Sequence, residues 1–134
     1  MENGILLEKA LTDAITAVEG LRDRVCPISD IQKSTGPLVV YDQREEKEHQ
    51  TLGGDSGLLE AQFQVFVLHS TYTSMRLLAE KVKRAVKGLQ GAQLLPLIVE
   101  SVTVTLGTPD LLEAKVELFR RSYNVSISYQ YKEE

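Results

Sequence analysis

Few residues in this chain have the type and spacing to act as nucleophiles, bases or metal ligands. The sharpest string is Gly54, Asp55, Ser56, Gly57, where a serine stands between a carboxylate and a glycine. Serine becomes an acyl-transfer nucleophile only where a base takes its proton and a third group holds that base. The chain has two histidines, His49 in a charged stretch and His69 at the end of an apolar one, and neither stands in a recognisable ligand cluster. Cys26 is the single cysteine, so no internal disulfide can form and a zinc site would lack its usual thiolates. Beside Pro27, Cys26 reads as a small buried hydrophobe. No glycine-rich phosphate loop with a lysine follows a strand pattern, and no acidic pair has a pocket-forming context.

Gly54 to Gly57 resembles the "GDSGG" around the nucleophile of chymotrypsin-like proteases, but position 58 is Leu where that family has Gly. Neither His49 nor His69 has the Ala-Ala-His-Cys setting of that family's base. At 134 residues the chain is also too short for the two barrels that assemble the triad. The string reads instead as a turn, with Gly supplying positive φ and Asp and Ser bonding the local backbone. The expectation is a protein that is not an enzyme, with no metal and no cofactor.

A chain of 134 residues, 43% hydrophobic and 25% charged, matches one domain spanning residues 1–134. A net charge of −4 argues against general nucleic-acid binding, which needs a surplus of Lys and Arg on one face. The start "MENGILLEK" lacks a basic region ahead of an apolar core, so a secretory signal is not expected, and Glu2 excludes myristoylation. The apolar run "LLPLIV" falls far short of the ~20 residues that cross a bilayer, so the chain is expected to be soluble.

The elements follow from periodicity. Leu7, Ala10, Leu11, Ala14, Val18, Leu21 and Val25 recur at three and four, predicting a first helix over residues 3–25, followed by a loop to Pro37. Residues 38–44 and 60–69 read as two strands of a hairpin with the 53–57 cluster between them. In the second strand Phe66 and Leu68 share the face opposite Phe63 and Val65, so both faces should be partly covered. "STYTSMRLLAEKVKRAVKGLQG" gives a second helix with a stripe from Tyr72 to Leu89. Residues 98–106 form a β-branched strand, and the last strand alternates Tyr123, Val125, Ile127, Tyr129 and Tyr131 against polar residues. "LLEAKVELFRR" between them fits either a helical turn or more strand. The order helix-strand-strand-helix-strand-strand implies an α+β fold, a two-layer sandwich of a four-stranded, mainly antiparallel sheet with two helices on one face.

Charge is unevenly placed. Residues 42–48 hold four acidic and two basic residues, whereas residues 76–87 hold Arg76, Lys81, Lys83, Arg84 and Lys87 against Glu80. Each can be a solvated face, with Glu80 and Arg84 an i,i+4 pair. Opposite patches on one molecule can also meet between identical subunits, head to tail, and close into a ring. A hairpin with an apolar base and a charged distal half cannot bury that half cheaply, so residues around 42–57 are expected to project until a neighbour orders them. Arg44, Glu45, Glu46, Lys47 and Glu48 form one candidate assembly surface and Arg76, Lys83 and Lys87 the other.

With that order in place, the chain resembles the tail-completion family of long-tailed bacteriophages, the tail terminator or tail-to-head joining proteins. The likeness runs over nearly the whole chain and rests on the leading helix ending in "LRDRVCP", on "GPLVVYDQ", on "GGDSGLLEAQFQVFVLHSTYTSMRLLAEKVKRAV" and on the closing "LFRRSYNVSISYQY". Cys26 stands where an aromatic is common before the Pro, and the strand through Phe63 and Val67 lacks a frequent Trp. The resemblance implies a structural virion protein at the tail–head junction, made in the bacterial cytoplasm. It would be a homo-oligomer, a hexameric ring in the virion with room for a monomer in solution. Its partners would be the tail tube protein and the head connector or stopper, and DNA would pass through the ring without specific binding or any membrane involvement. The alternatives are another phage neck or contractile-tail terminator subunit, or a small-ligand-binding or enzymatic α+β domain.

Overall fold

A computed structural model gives the fold and describes residues 2–18, 21–22, 24–27, 37–51, 54–94, 97–113 and 117–131. Along the chain lie α1 (Glu2–Thr16), β1 (Val25–Pro27), β2 (Leu38–Thr51), β3 (Gly54–His69), α2 (Tyr72–Lys87), β4 (Gln93–Leu94), β5 (Leu97–Leu106), β6 (Leu111–Glu113) and β7 (Leu118–Tyr131). The four-stranded two-layer sandwich expected from the sequence is not what forms. Seven strands make one curled, half-barrel sheet in the order β1-β2-β3-β7-β5-β4, with β6 paired to β7 outside that path. Three of these strands, β1, β4 and β6, are two or three residues long, too short to leave an alternation pattern in the sequence. The curl has a cause as well. β2, β3 and β7 run 14 to 16 residues, and strand twist accumulates over such lengths. Bulges between Gln43 and Glu45, Glu48 and Gln50, and Val99 and Ser101 add to it.

The charged stretch corrects a second expectation. β2 does not stop near Arg44. Its backbone stays paired with β3 from Leu38↔Leu68 to Thr51↔Gly54, and residues 52–53, between them, lie outside the described residues. The string Gly54 to Gly57 therefore opens a strand and is not the turn itself. Charge did not end β2 because, among the described residues, residues 42–51 pair only with β3, β1 covering just Val39, Val40 and Tyr41. Charged residues are at home on such an edge, where they discourage sheet-to-sheet association. β3 pairs with β7 from Leu58↔Gln130 onward, so only the hairpin end reaches past the described β7 ladder.

Alternation builds the main core. Ala61, Phe63, Val65 and Val67 of β3 join Tyr123, Val125, Ile127 and Tyr129 of β7, and all are buried. Against them pack Leu7, Leu11 and Ile15 of α1 and Met75, Ala79, Val82 and Val86 of α2. α2 is capped by Thr71, whose backbone is extended and whose side-chain oxygen accepts the N–H of Ser74 at 3.1 Å, satisfying one orphan donor. α1 ends at Thr16, well before the expected Val25. Leu21 is fully buried nonetheless, carried there by tight turns from Val18 N to Ile15 O (3.0 Å) and Leu21 N to Val18 O (3.1 Å). The stripe marked burial correctly while the backbone left the helix. On the opposite face Leu38, Val40, Leu68 and Leu118 form a small second core, with Phe66 and half-buried Cys26 against it. This is why Phe66 and Leu68 do not make an exposed patch. The ambiguous "LLEAKVELFRR" resolves as β6 and the start of β7, with residues 114–116 outside the described residues.

Phe63→Ala should cost about 3–5 kcal/mol of stability in urea unfolding, because it opens a cavity in the main core. Leu77→Ala, at a residue 64% exposed on α2, should change it by less than about 0.5 kcal/mol.

Candidate functional site

Along the outer side of β7, β5 and β6 behave as one strand broken at residues 107–110. Gly107 donates its N–H to Ser122 O at 2.8 Å, so the ladder begins to resume at once. A Cβ at Gly107 would lie 2.5 Å from Ser122 Oγ, so any larger residue there would have to push that hydroxyl aside. The break presents Asp110 to Arg121, whose Nε and Nη2 donate to Oδ1 at 3.0 Å and Oδ2 at 2.8 Å, a two-pronged contact. Both side chains are largely shielded, 10% exposed for Arg121 and 21% for Asp110. Tyr72, at the start of α2, donates its hydroxyl to Asp110 Oδ2 at 3.3 Å and sets its ring edge-on to Phe119 at 6.1 Å. Arg76 in turn donates to the Tyr72 hydroxyl at 3.1 Å and lies over that ring. These contacts tie the head of α2 to the broken strand.

The charges respond accordingly. The hydrogen bonds from Arg121 hold the Asp110 carboxyl below its usual range, against the opposing effect of burial. Asp110 in turn raises the Arg121 guanidinium, so that side chain stays charged at any accessible pH. Burial pushes the Tyr123 phenol up, against the opposing effect of the nearby Arg121 guanidinium.

The candidate assembly residues fall in two places. Arg44 is the extra residue of the β2 bulge and pairs with Asp42 Oδ2 at 3.0 Å, with 60% of its side chain exposed. An ion pair this open contributes little to stability. Glu45, Glu46, Lys47 and Glu48 follow along the edge strand, and their side chains lie outside the described residues. On α2, Arg76, Lys83 and Lys87 are separated by seven and four residues, so they fall within about 40° of one another around the helix. Arg76 and Lys87 are exposed and Lys83 is half-buried. The structure thus gathers the basic set on one helix flank and strings the acidic-rich set along β2. α2 packs over β3, β7 and β5, whereas residues 42–48 run along β2, on the far side of β3 from β7.

Nothing described prepares Ser56 for catalysis. His69 ends the same strand, 13 residues and roughly 40 Å away at the strand rise, and its Nδ1 accepts the N–H of Ser70 at 2.8 Å. The side chains of His49 and Ser56 lie outside the described residues. Among the described residues no three His, Cys, Asp or Glu groups are placed to hold a metal ion. On the polar sheet face a trough of about 390 Å³ is lined by Arg44, Gln62, Gln64, Thr103, Asn124 and Ser126, among others. Among the described residues its lining offers amides, hydroxyls and one guanidinium, a set that can hydrogen-bond a ligand.

Sequence reasoning missed Tyr72, Asp110 and Arg121 as a unit. The usable signal was Arg121 itself. It sits in phase with Tyr123, Val125 and Ile127 on the inward face, and an inward arginine requires a carboxylate.

No protein-family model matches the chain, and no curated protein matches it. Among solved structures, a chain whose name describes no function superposes with a TM-score of 0.54 at 18% identity, over 96% of this chain and 92% of its own length. That likeness shows a shared fold alone.

Asp110→Asn should lower stability by about 1–3 kcal/mol at pH 7, since it weakens a shielded, charge-assisted pair. Because the folded carboxyl titrates below its unfolded value, the native advantage is complete above about pH 4 and is lost as pH falls further. Urea unfolding of both proteins should show a constant difference from pH 7 to about pH 5 that narrows below pH 4.

Proposed function

We propose that this chain is a structural virion subunit that caps the tail tube of a long-tailed bacteriophage as a ring and joins it to the head connector. The reading rests on the sequence resemblance to tail-completion proteins. One structural observation supports it: Arg76, Lys83 and Lys87 share one flank of α2, while the acidic-rich residues 42–48 run along β2 at the other flank of β3 from β7. A surface of that kind pairs heterologously, and a heterologous contact repeated with the right rotation closes into a ring. Six copies is the number the resemblance implies. A net charge of −4 suits a ring through which DNA must slide, because tight phosphate contacts would oppose its passage. The tube protein and the connector or stopper are the partners on the two ring faces, and the protein acts at the tail–head junction without catalysis.

The polar trough favours a second reading, a domain that binds a small polar ligand. The two readings part in the infected cell. Negative-stain imaging of particles assembled without this chain should show overlong tails, or heads and tails left unjoined. Normal virions would reject the joining role. A small polar molecule that raises the melting temperature at modest concentration would favour the trough.

A further inference from the structure

Beyond Glu100, at the bulge, the outer side of β5 is an open edge whose residues 101–106 carry no charge. Gly107 turns its N–H inward to Ser122 O, and alternation along the strand then turns the backbone groups of Val102, Val104 and Leu106 outward. Val102 shows this directly, since its N–H is taken from outside by Gln90 Oε1 at 3.3 Å. β4 covers only Leu97 and Ile98, so among the described residues no strand lies beside Val104 or Leu106. Residues 101–106 are Ser, Val, Thr, Val, Thr and Leu, and Leu106 is 61% exposed. Such an edge is a template for a further strand, and it carries none of the charges that protect β2.

α2 runs beside this edge. Its first residue, Tyr72, bonds Asp110 just past the end of β5, and Gln90, three residues past its last, bonds Val102. The helix flank that carries Tyr72 also carries Arg76, Lys83 and Lys87, at steps of four, seven and four. An incoming strand would therefore find unpaired backbone on one side and cations along the other.

We propose that the outer edge of β5 pairs with the outer edge of β2, residues 42–48, of a second copy, bringing that strand's carboxylates beside Arg76, Lys83 and Lys87. Charge complementarity selects this occupant: residues 42–48 hold four acidic residues against two basic ones, and among the described residues only β3 pairs with them. Pairing β5 with β5 would set basic flank against basic flank, and β2 with β2 would set acidic edge against acidic edge. The contact is head to tail, and it names the subunit interface of the ring proposed above, on which reading its closure rests.

Sedimentation velocity of the purified chain at high concentration and low ionic strength tests this pairing. The wild-type chain should associate, and salt should reverse the association. Leu106→Pro removes one outward donor without touching the β5–β7 ladder and should weaken association by about tenfold, with melting followed in parallel. Lys83→Glu with Lys87→Glu, and separately Glu46→Lys with Glu48→Lys, should each weaken it by about tenfold, whereas Lys81→Glu should not. An equimolar mixture of the two charge-reversed proteins should associate again, because each then meets a complementary edge. A wild-type chain that stays monomeric, variants that associate as wild type does, or a mixture no better than its components would overturn the pairing. Association as described with tail-tube ends left bare would sink the capping reading and keep this one. Capped tubes with variants indistinguishable from wild type would do the reverse.

Discussion

The structure hangs on the antiparallel ladder between β3 and β7. Its pairs run from Leu58↔Gln130 to His69↔Phe119, and both strands are interior to the sheet. One face of this ladder supplies Phe63, Val65, Ile127 and Tyr129 to the core against which both helices pack. Its flanks receive β2 on one side and β5 with β6 on the other. A one-residue slip would turn every one of those core side chains to the opposite, largely polar face, so the burial of the odd-numbered residues fixes the register of the whole sheet. The Asp110–Arg121 pair acts within this frame: it bridges the break between β5 and β6 and, through Tyr72, seats the head of α2.

Strong periodicity made much of this legible. The stripes of α1 and α2 and the alternation in β7 identify core residues because period 3.6 and period 2 map onto burial. In β5 the bulge at Glu100 shifts the phase, so that Val99 and Val102 are both buried and Leu106 is exposed. The missing information was of two physical kinds. Strands of two or three residues, such as β1, β4 and β6, are specified by their neighbours' open backbone and not by their own pattern. The charged half of β2 lies beyond the strand expected over residues 38–44 because alternation presumes a buried face, and an edge strand needs none. The number of strands, and with it the curl of the sheet, was lost through those two omissions. The candidate site divided in the same way. The basic residues of α2 could be placed on one flank by helical spacing, whereas Asp110 meets Arg121 only through a backbone break that no local pattern announces.

Two sheet edges with different chemistry follow from this architecture. The β2 edge is protected by charge, which keeps a free subunit from sheet-to-sheet aggregation. The β5 edge carries no charge beyond Glu100 and lies beside cations supplied by α2. A subunit built this way is asymmetric across its sheet, which suits directional association and leaves two faces for unlike partners. In a tail-completing ring those partners would be the tube and the head connector.

Electron microscopy of purified tail tubes incubated with the isolated chain tests the central claim most directly. The account predicts a ring at one end of each tube and no further tube growth from that end. Bare ends at both extremities, or the chain bound to isolated connectors but never to tubes, would contradict it.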